Sequence, residues 1–264
     1  MDKRGFWSKM PGEPTWLCLL TKLRLENPCR HRFAHDPPEF LDRIPLAQER
    51  LASGGGRSIS QEAILSKLTD LHAQIAACQK CALAQGRDRA VPGEGPEDAQ
   101  IMFIGEAPGY HENRLGRPFV GAAGKFLDKL LASIDMQRDD VYICNVIKCR
   151  PPNNRDPLPN EVRACQPYLD QQVELIKPRL IITLGRHSMS QYFPKATISK
   201  IHGVPKNLGD VIVLPFFHPA AALHQPKYRA DIERDFLKIP RILAQASGLE
   251  GTPPDQRAEQ LSLF

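Results

Sequence analysis

Four cysteines are placed where their thiols could meet. Cys78 and Cys81 form a C-x2-C pair, and Cys149 and Cys165 lie far downstream in a segment rich in Pro and Arg. Thiolates from two separated segments can complete a tetrahedral metal site, and spacing alone leaves zinc and an iron–sulfur cluster open, beside buried thiols or a redox pair. An odd total of 7 Cys and no recognisable secretion signal argue against a disulfide framework. Two other residue types at turns carry acid–base chemistry. Glu106 sits in Gly105-Glu106-Ala107-Pro108-Gly109, where a carboxylate can act as a base or stabilise a positive charge. His218 precedes Pro219 at the end of the last apolar run, and an imidazole can donate or accept a proton there. Taken singly, Glu106 also reads as a surface residue of a glycine-rich turn and His218 as a turn cap.

These residues need elements to position them. Ser58 and Gln61 make a capping box, and Ile64, Leu65, Leu68, Leu71 and Ile75 form one helical stripe that leads into Cys78. Four short β-forming apolar runs follow at 100–104, 141–147, 180–184 and 211–217, with helical spacing over 122–134, 161–176, 186–193 and 228–244. Strands alternating with helices predict an α/β chain, a three-layer α/β/α sandwich around a central four-stranded parallel sheet. Ligands of such sheets bind beyond the carboxyl ends of the strands, which points to 105–109, 145–152, 185–187 and 218–220. Cys144 falls inside a strand and reads as an ordinary buried residue.

The chain has 264 residues, 35 Lys plus Arg against 30 Asp plus Glu, 42% hydrophobic and 25% charged residues. That composition fits a soluble globular protein and excludes a wholly disordered or collagen-like one. The early apolar run from Trp16 to Leu20 falls far short of the roughly 20 residues of a membrane span, so no membrane partner is expected. A net charge of +5 mildly favours an anionic partner. Residues 1–57 lack sustained periodicity, hold Cys18 and Cys29, and end in Ser53-Gly54-Gly55-Gly56, so they read as a poorly ordered extension. The folded domain is expected over 58–247, and 248–264 reads as a flexible tether ending in an apolar pentapeptide.

Taken together, Cys78-x2-Cys81, GEAPG at 105–109, GRPFVGAAG at 116–124, NVIKCRPPNNRDP at 145–157, Cys165 and HPAAALHQP at 218–226 closely resemble the family 4 uracil-DNA glycosylases. The resemblance runs in order across residues 60–245. It implies excision of uracil from DNA to leave an abasic site, the glycosylase fold, a cytoplasmic, nucleoid-associated monomer, and a 4Fe-4S cluster on Cys78, Cys81, Cys149 and Cys165. It also implies catalytic roles for His218, on uracil O2, and for Glu106, near the attacking water or the sugar cation. Gly105 and Ala107 would border the base, Phe119 would stack on it, and Asn145 would read its edge. One amide donor and one acceptor suit uracil O4 and N3–H and misfit cytosine. Tyr110 and His111 are candidates for excluding thymine.

Leu223 is the expected wedge into the gap left by the base. Arg155, Arg186 and Lys200, with Lys148, Arg150 and Lys206, are candidate phosphate contacts, and His202 stands where many relatives carry Arg. Gln260, Leu261, Leu263 and Phe264 resemble the bacterial sliding-clamp binding motif, which the tail would present to the clamp. Two rivals stand beside this reading: a non-catalytic iron–sulfur DNA-binding or redox adaptor, and a relative that is covalently trapped on uracil-DNA through a histidine. Glu106, Phe119, Asn145 and His218 together argue against the first; Cys149 in place of that histidine argues against the second.

Overall fold

The strands over 101–105, 142–145 and 180–184 are buried along their length, which requires cover on both faces. A computed structural model describes residues 61–246, with side chains from residue 67 onward. The strands are β1 (Ile101–Gly105), β2 (Tyr142–Asn145), β3 (Leu180–Leu184), β4 (Lys206–Asn207) and β5 (Ile212–Phe216), in the sheet order β2-β1-β3-β5-β4. β2, β1, β3 and β5 run parallel, with Gly105 opposite Asn145 and Leu184 opposite Phe216. The four expected parallel strands are present, and a short fifth strand joins them at the edge. β4 is a two-residue antiparallel edge on β5, and such an exposed edge carries no apolar run to reveal it.

Alternation along the strands divides the core into two layers. Met102, Ile104, Tyr142, Ile181 and Val213 face α1 (Gln61–Ala77) and α4 (Pro159–Ile176). Ile101, Phe103, Ile143, Ile182 and Leu214 face α3 (Ala122–Ala132), α8 (Pro226–Phe236) and α9 (Ile239–Ala246). The sandwich is therefore α/β/α. The helical pattern over 228–244 is interrupted after Phe236, so the single expected helix is two. α4 starts with Pro159 at its first position, where a missing N–H costs nothing, and Glu161 Oε2 accepts from the Leu158 N–H at 2.8 Å.

Shorter helices lie at the carboxyl end of the sheet: α2 (Tyr110–Leu115), α5 (Arg186–Ser190), α6 (Ile198–Ile201) and α7 (Pro219–His224). The stretch after His218, which carries the expected wedge Leu223, is thus a helix. No described helix is long and apolar enough to cross a membrane. Ser58, the 1–57 extension and the 248–264 tail with Gln260, Leu261, Leu263 and Phe264 lie outside the described residues.

Candidate functional site

The chain leaves β1 toward β2 on one side and later toward β3 on the other, so the crevice beyond the carboxyl end of β1 is a topological switch point. Gly105 ends β1 and Asn145 ends β2 in register with it. A Cβ on Gly105 would lie 2.3 Å from Asn145 Oδ1 and 2.7 Å from Phe119 Cζ. Glycine here makes room for the amide and the ring. Asn145 is 2% exposed, and its carbonyl accepts from Lys148 Nζ at 2.8 Å.

Phe119 is held at φ 51, a left-handed conformation costly for a bulky residue. The surroundings enforce it. Arg138 donates to the carbonyls of Pro118 and Phe119 at 2.7 and 3.1 Å, and Glu112 Oε1 accepts from the N–H groups of Val120 and Gly121, each at 2.9 Å. Gly124 admits the Phe119 carbonyl, which a Cβ there would meet at 1.7 Å. The Phe119 ring stacks beside His218 with centroids 5.6 Å apart and planes at 25°.

His218 caps α7: its Nδ1 accepts from the Ala220 N–H at 3.1 Å. That bond assigns the proton of the neutral ring to Nε2. Burial pulls the imidazole down to about 4 against the opposing charge of Glu112. At neutral pH His218 is an uncharged Nε2–H donor. Glu106 follows β1, its carboxyl raised by burial, lowered by His187, raised by Asp156 and lowered by Arg186. His187 Nε2 lies 3.8 Å from Glu106 Oε2 and 3.4 Å from Asp156 Oδ1. Ala107 is partly buried against the core on the β1 side of the crevice. A neutral donor, a stacking ring and a buried amide thus gather around Gly105, and the Glu106 carboxylate follows directly at the end of β1.

A second site lies below it. Cys78 and Cys81 follow the end of α1, Cys149 lies in the loop after β2, and Cys165 is on α4. All four line one small pocket with Arg87, Lys148 and Tyr168. Each of three sulfurs accepts an N–H: Cys78 from Lys80 at 3.4 Å, Cys149 from Arg87 Nη1 at 3.0 Å and Cys165 from Lys148 at 3.2 Å. Among the described residues no three of these sulfurs lie within 4.8 Å of one another. Burial pushes the Cys149 thiol up, and that of Cys165 to about 11.

The family model of the uracil DNA glycosylase superfamily matches residues 92–239, the span that holds the crevice. The chain belongs to the uracil-DNA glycosylase superfamily. It is 48% identical over 185 residues to a type-4 uracil-DNA glycosylase of Sulfurisphaera tokodaii, covering 66% of this chain and 84% of that protein. Identity to a type-4 uracil-DNA glycosylase of Archaeoglobus fulgidus is 47% over 184 residues, covering 66% and 92%. A type-5 uracil-DNA glycosylase of Pyrobaculum aerophilum is more distant, 33% identical over 150 residues, covering 50% and 66%.

Set in this superfamily fold, the residues singled out from sequence separate into groups. Gly105, Phe119, Asn145 and His218 meet at the crevice, Glu106 follows Gly105 and lies against His187, and the four cysteines line the second pocket. Leu223 is half exposed on α7, the helix that His218 caps. Lys200 is exposed on α6 and Lys206 on β4. Arg186 pairs with Asp156, while Arg155 chelates Glu161 at 2.8 and 2.6 Å. Lys148 is a correction. It is 1% exposed and bonds Asn145 and Gln172, so it holds the β2 loop rather than reaching phosphate. His202 Nδ1 bonds Asp235 at 2.6 Å.

Glu112, Arg138 and His187 were missed. Glu112 and Arg138 act on backbone groups distant in sequence, for which a sequence offers no sign. His187 offered one: it follows a strand end in Gly185-Arg186-His187.

Proposed function

We propose that this protein is a type-4 uracil-DNA glycosylase that flips uracil from DNA and hydrolyses its N-glycosidic bond, beginning base excision repair. The observation that carries this reading is the bond from the Ala220 N–H to His218 Nδ1, which leaves Nε2–H as a fixed neutral donor beside Phe119. Cleavage of the bond leaves negative charge on uracil and positive charge on the sugar. An oriented donor already in place strengthens as charge grows on uracil O2 and needs no reorganisation. A neutral imidazole does this without transferring a proton, consistent with its lowered basicity.

In this reading Phe119 stacks on the extruded base and Asn145 pairs with its N3–H and O4. Cytosine presents the opposite donor pattern, so the buried amide would be left unpaired against it. Glu106, when ionised, faces the sugar cation and the water that captures it. Gly105 and Ala107 form the floor of the base pocket. Leu223 enters the duplex, and Arg186, Lys200 and the exposed edge of Arg155 meet phosphates.

Cys78, Cys81, Cys149 and Cys165 would hold a 4Fe-4S cluster. Four thiols lining one pocket, with N–H donors aimed at three of the sulfurs, suit such a unit. When bound it supplies a covalent tie between α1, the β2 loop and α4. The protein acts as a monomer, and Gln260, Leu261, Leu263 and Phe264 recruit it to the sliding clamp. Deletion of residues 260–264 should abolish clamp capture and spare excision on short oligonucleotides; unchanged capture would sink the clamp reading.

The test of the main reading is incubation with oligonucleotides containing uracil, thymine or hypoxanthine, beside His218→Ala, then alkaline cleavage and a denaturing gel. Uracil-dependent cleavage with turnover, slowed roughly 10²- to 10³-fold in His218→Ala, is expected. No cleavage by cluster-loaded protein overturns the reading, and a denaturant-resistant protein–DNA band indicates covalent trapping.

A further inference from the structure

His187 has no part in the chemistry described so far, yet its imidazole lies between two carboxylates. Nε2 is 3.4 Å from Asp156 Oδ1 and 3.8 Å from Glu106 Oε2, is buried, and makes no hydrogen bond among the described residues. The backbone leads it there. Gly185, at φ 94, turns the chain at the end of β3, and α5 begins at once with Arg186 and His187. Arg186 pairs with the other oxygen of Asp156, so both residues face the same carboxylate. Asp156 itself adjoins Arg155, whose guanidinium chelates Glu161 and also donates to the Asp156 carbonyl at 2.9 Å.

We propose that His187 is the positioning residue for Glu106: its imidazole, held between Glu106 and Asp156, relieves their mutual repulsion and sets the pH range over which excision runs. The proposal rests on the uracil-excision reading. Glu106 acts only when ionised, whether it faces the sugar cation or the attacking water. The charged groups that face it are His187, Asp156 and Arg186. Positive charge on an imidazole lying between the two carboxylates favours their ionised forms. Burial raises the Glu106 carboxyl, and of its neighbours His187 and Arg186 oppose that while Asp156 adds to it. No bond forms or breaks at His187; the proton stays on the ring.

The two flanking substitutions must therefore act with opposite signs. In His187→Phe, Glu106 keeps Asp156 and loses the neighbour that favours its ionised form, so the acid limb of the pH–rate profile moves to higher pH. In Asp156→Asn it loses a like charge, so the limb moves to lower pH. A unit charge about 4 Å away in water is worth roughly a fivefold change in an ionisation equilibrium. Rates of the full chain on uracil-containing duplex, normalised to each variant's own plateau, should differ from wild type by about that factor on the acid limb. EDTA is included, because three ligand atoms within 4.8 Å of one another could gather a stray cation.

A fixed limb in His187→Phe, or limbs that move in the same direction in both variants, overturns the proposal, since a loosened fold cannot shift them oppositely. If the Phe variant does not fold, His187→Gln takes its place. Titration of ¹³C-labelled Glu106, assigned with Glu106→Gln, repeats the comparison without turnover. Opposite NMR shifts with no uracil release at any pH would sink the glycosylase reading and sustain the coupling; unmoved NMR titrations with normal excision would do the reverse.

Discussion

Substituting Gly105→Ala adds one methyl group at the point where three parts of the crevice converge. The new Cβ would stand 2.3 Å from Asn145 Oδ1 and 2.7 and 2.8 Å from Phe119 Cζ and Cε2. Ordinary contact begins near 3.4 Å, so the amide must retreat by at least about 1 Å. Neither neighbour has an easy escape. Asn145 is enclosed at the end of β2, and the Phe119 backbone is clamped by Arg138 and Glu112. Overpacking of this kind costs about 1–3 kcal/mol. For a domain of this size that lowers the melting temperature by roughly 2–4 °C per kcal/mol. The functional loss should be larger, because displacing a recognition group by about 1 Å slows catalysis on the order of 10²-fold. Single-turnover excision on a uracil-containing duplex, with a thermal melt of the same preparation, measures both. Gly86→Ala, whose Cβ meets nothing within 4 Å, is the silent control. A folded Gly105→Ala protein that excises uracil within about twofold of wild type would refute the assignment of Asn145 and Phe119 to the base pocket.

The lowered basicity of His218 couples folding to pH. The unfolded chain binds a proton there below about 6.5 and the folded chain only near 4, so this contribution is complete above 6.5 and is lost as pH falls to 4. It is on the order of 3 kcal/mol, and His218→Phe should flatten the rise of melting temperature over that window; an unchanged slope would contradict the burial argument. Lys148→Met leaves the Asn145 carbonyl and the Gln172 amide oxygen without their donor. Each unsatisfied group costs about 1–3 kcal/mol, so denaturant melts should show a clear loss of stability, and excision should slow as the β2 loop loosens. Cys149→Ala should bleach the visible absorption of an iron–sulfur centre and destabilise the fold; a stable, colourless and fully active variant would rule out a structural cluster.

The parallel strands and their order along the chain were legible because buried strands read as short apolar runs between helical patterns. Glu106, Asn145 and His218 could be placed at strand ends for the same reason. β4 escaped notice because two exposed residues on an edge form no pattern, and the split between α8 and α9 because the apolar stripe continues across it. Lys148 was misread since charge in a Pro- and Arg-rich segment ordinarily means surface. Only packing shows that its stem is enclosed and its ammonium bonded to Asn145 and Gln172.

By itself, then, the sequence determined the residue types that can do the chemistry, their order, and the strand ends that present them, since backbone periodicity and turn residues are local properties. Tertiary structure decided what those residues are. The tautomer of His218 depends on the Ala220 amide at the start of α7, the pose of Phe119 on Arg138 and Glu112, and the environment of Glu106 on His187 and Asp156. Protonation and orientation are set by neighbours in space, and apart from that adjacent cap these neighbours are brought together only when the strands pair.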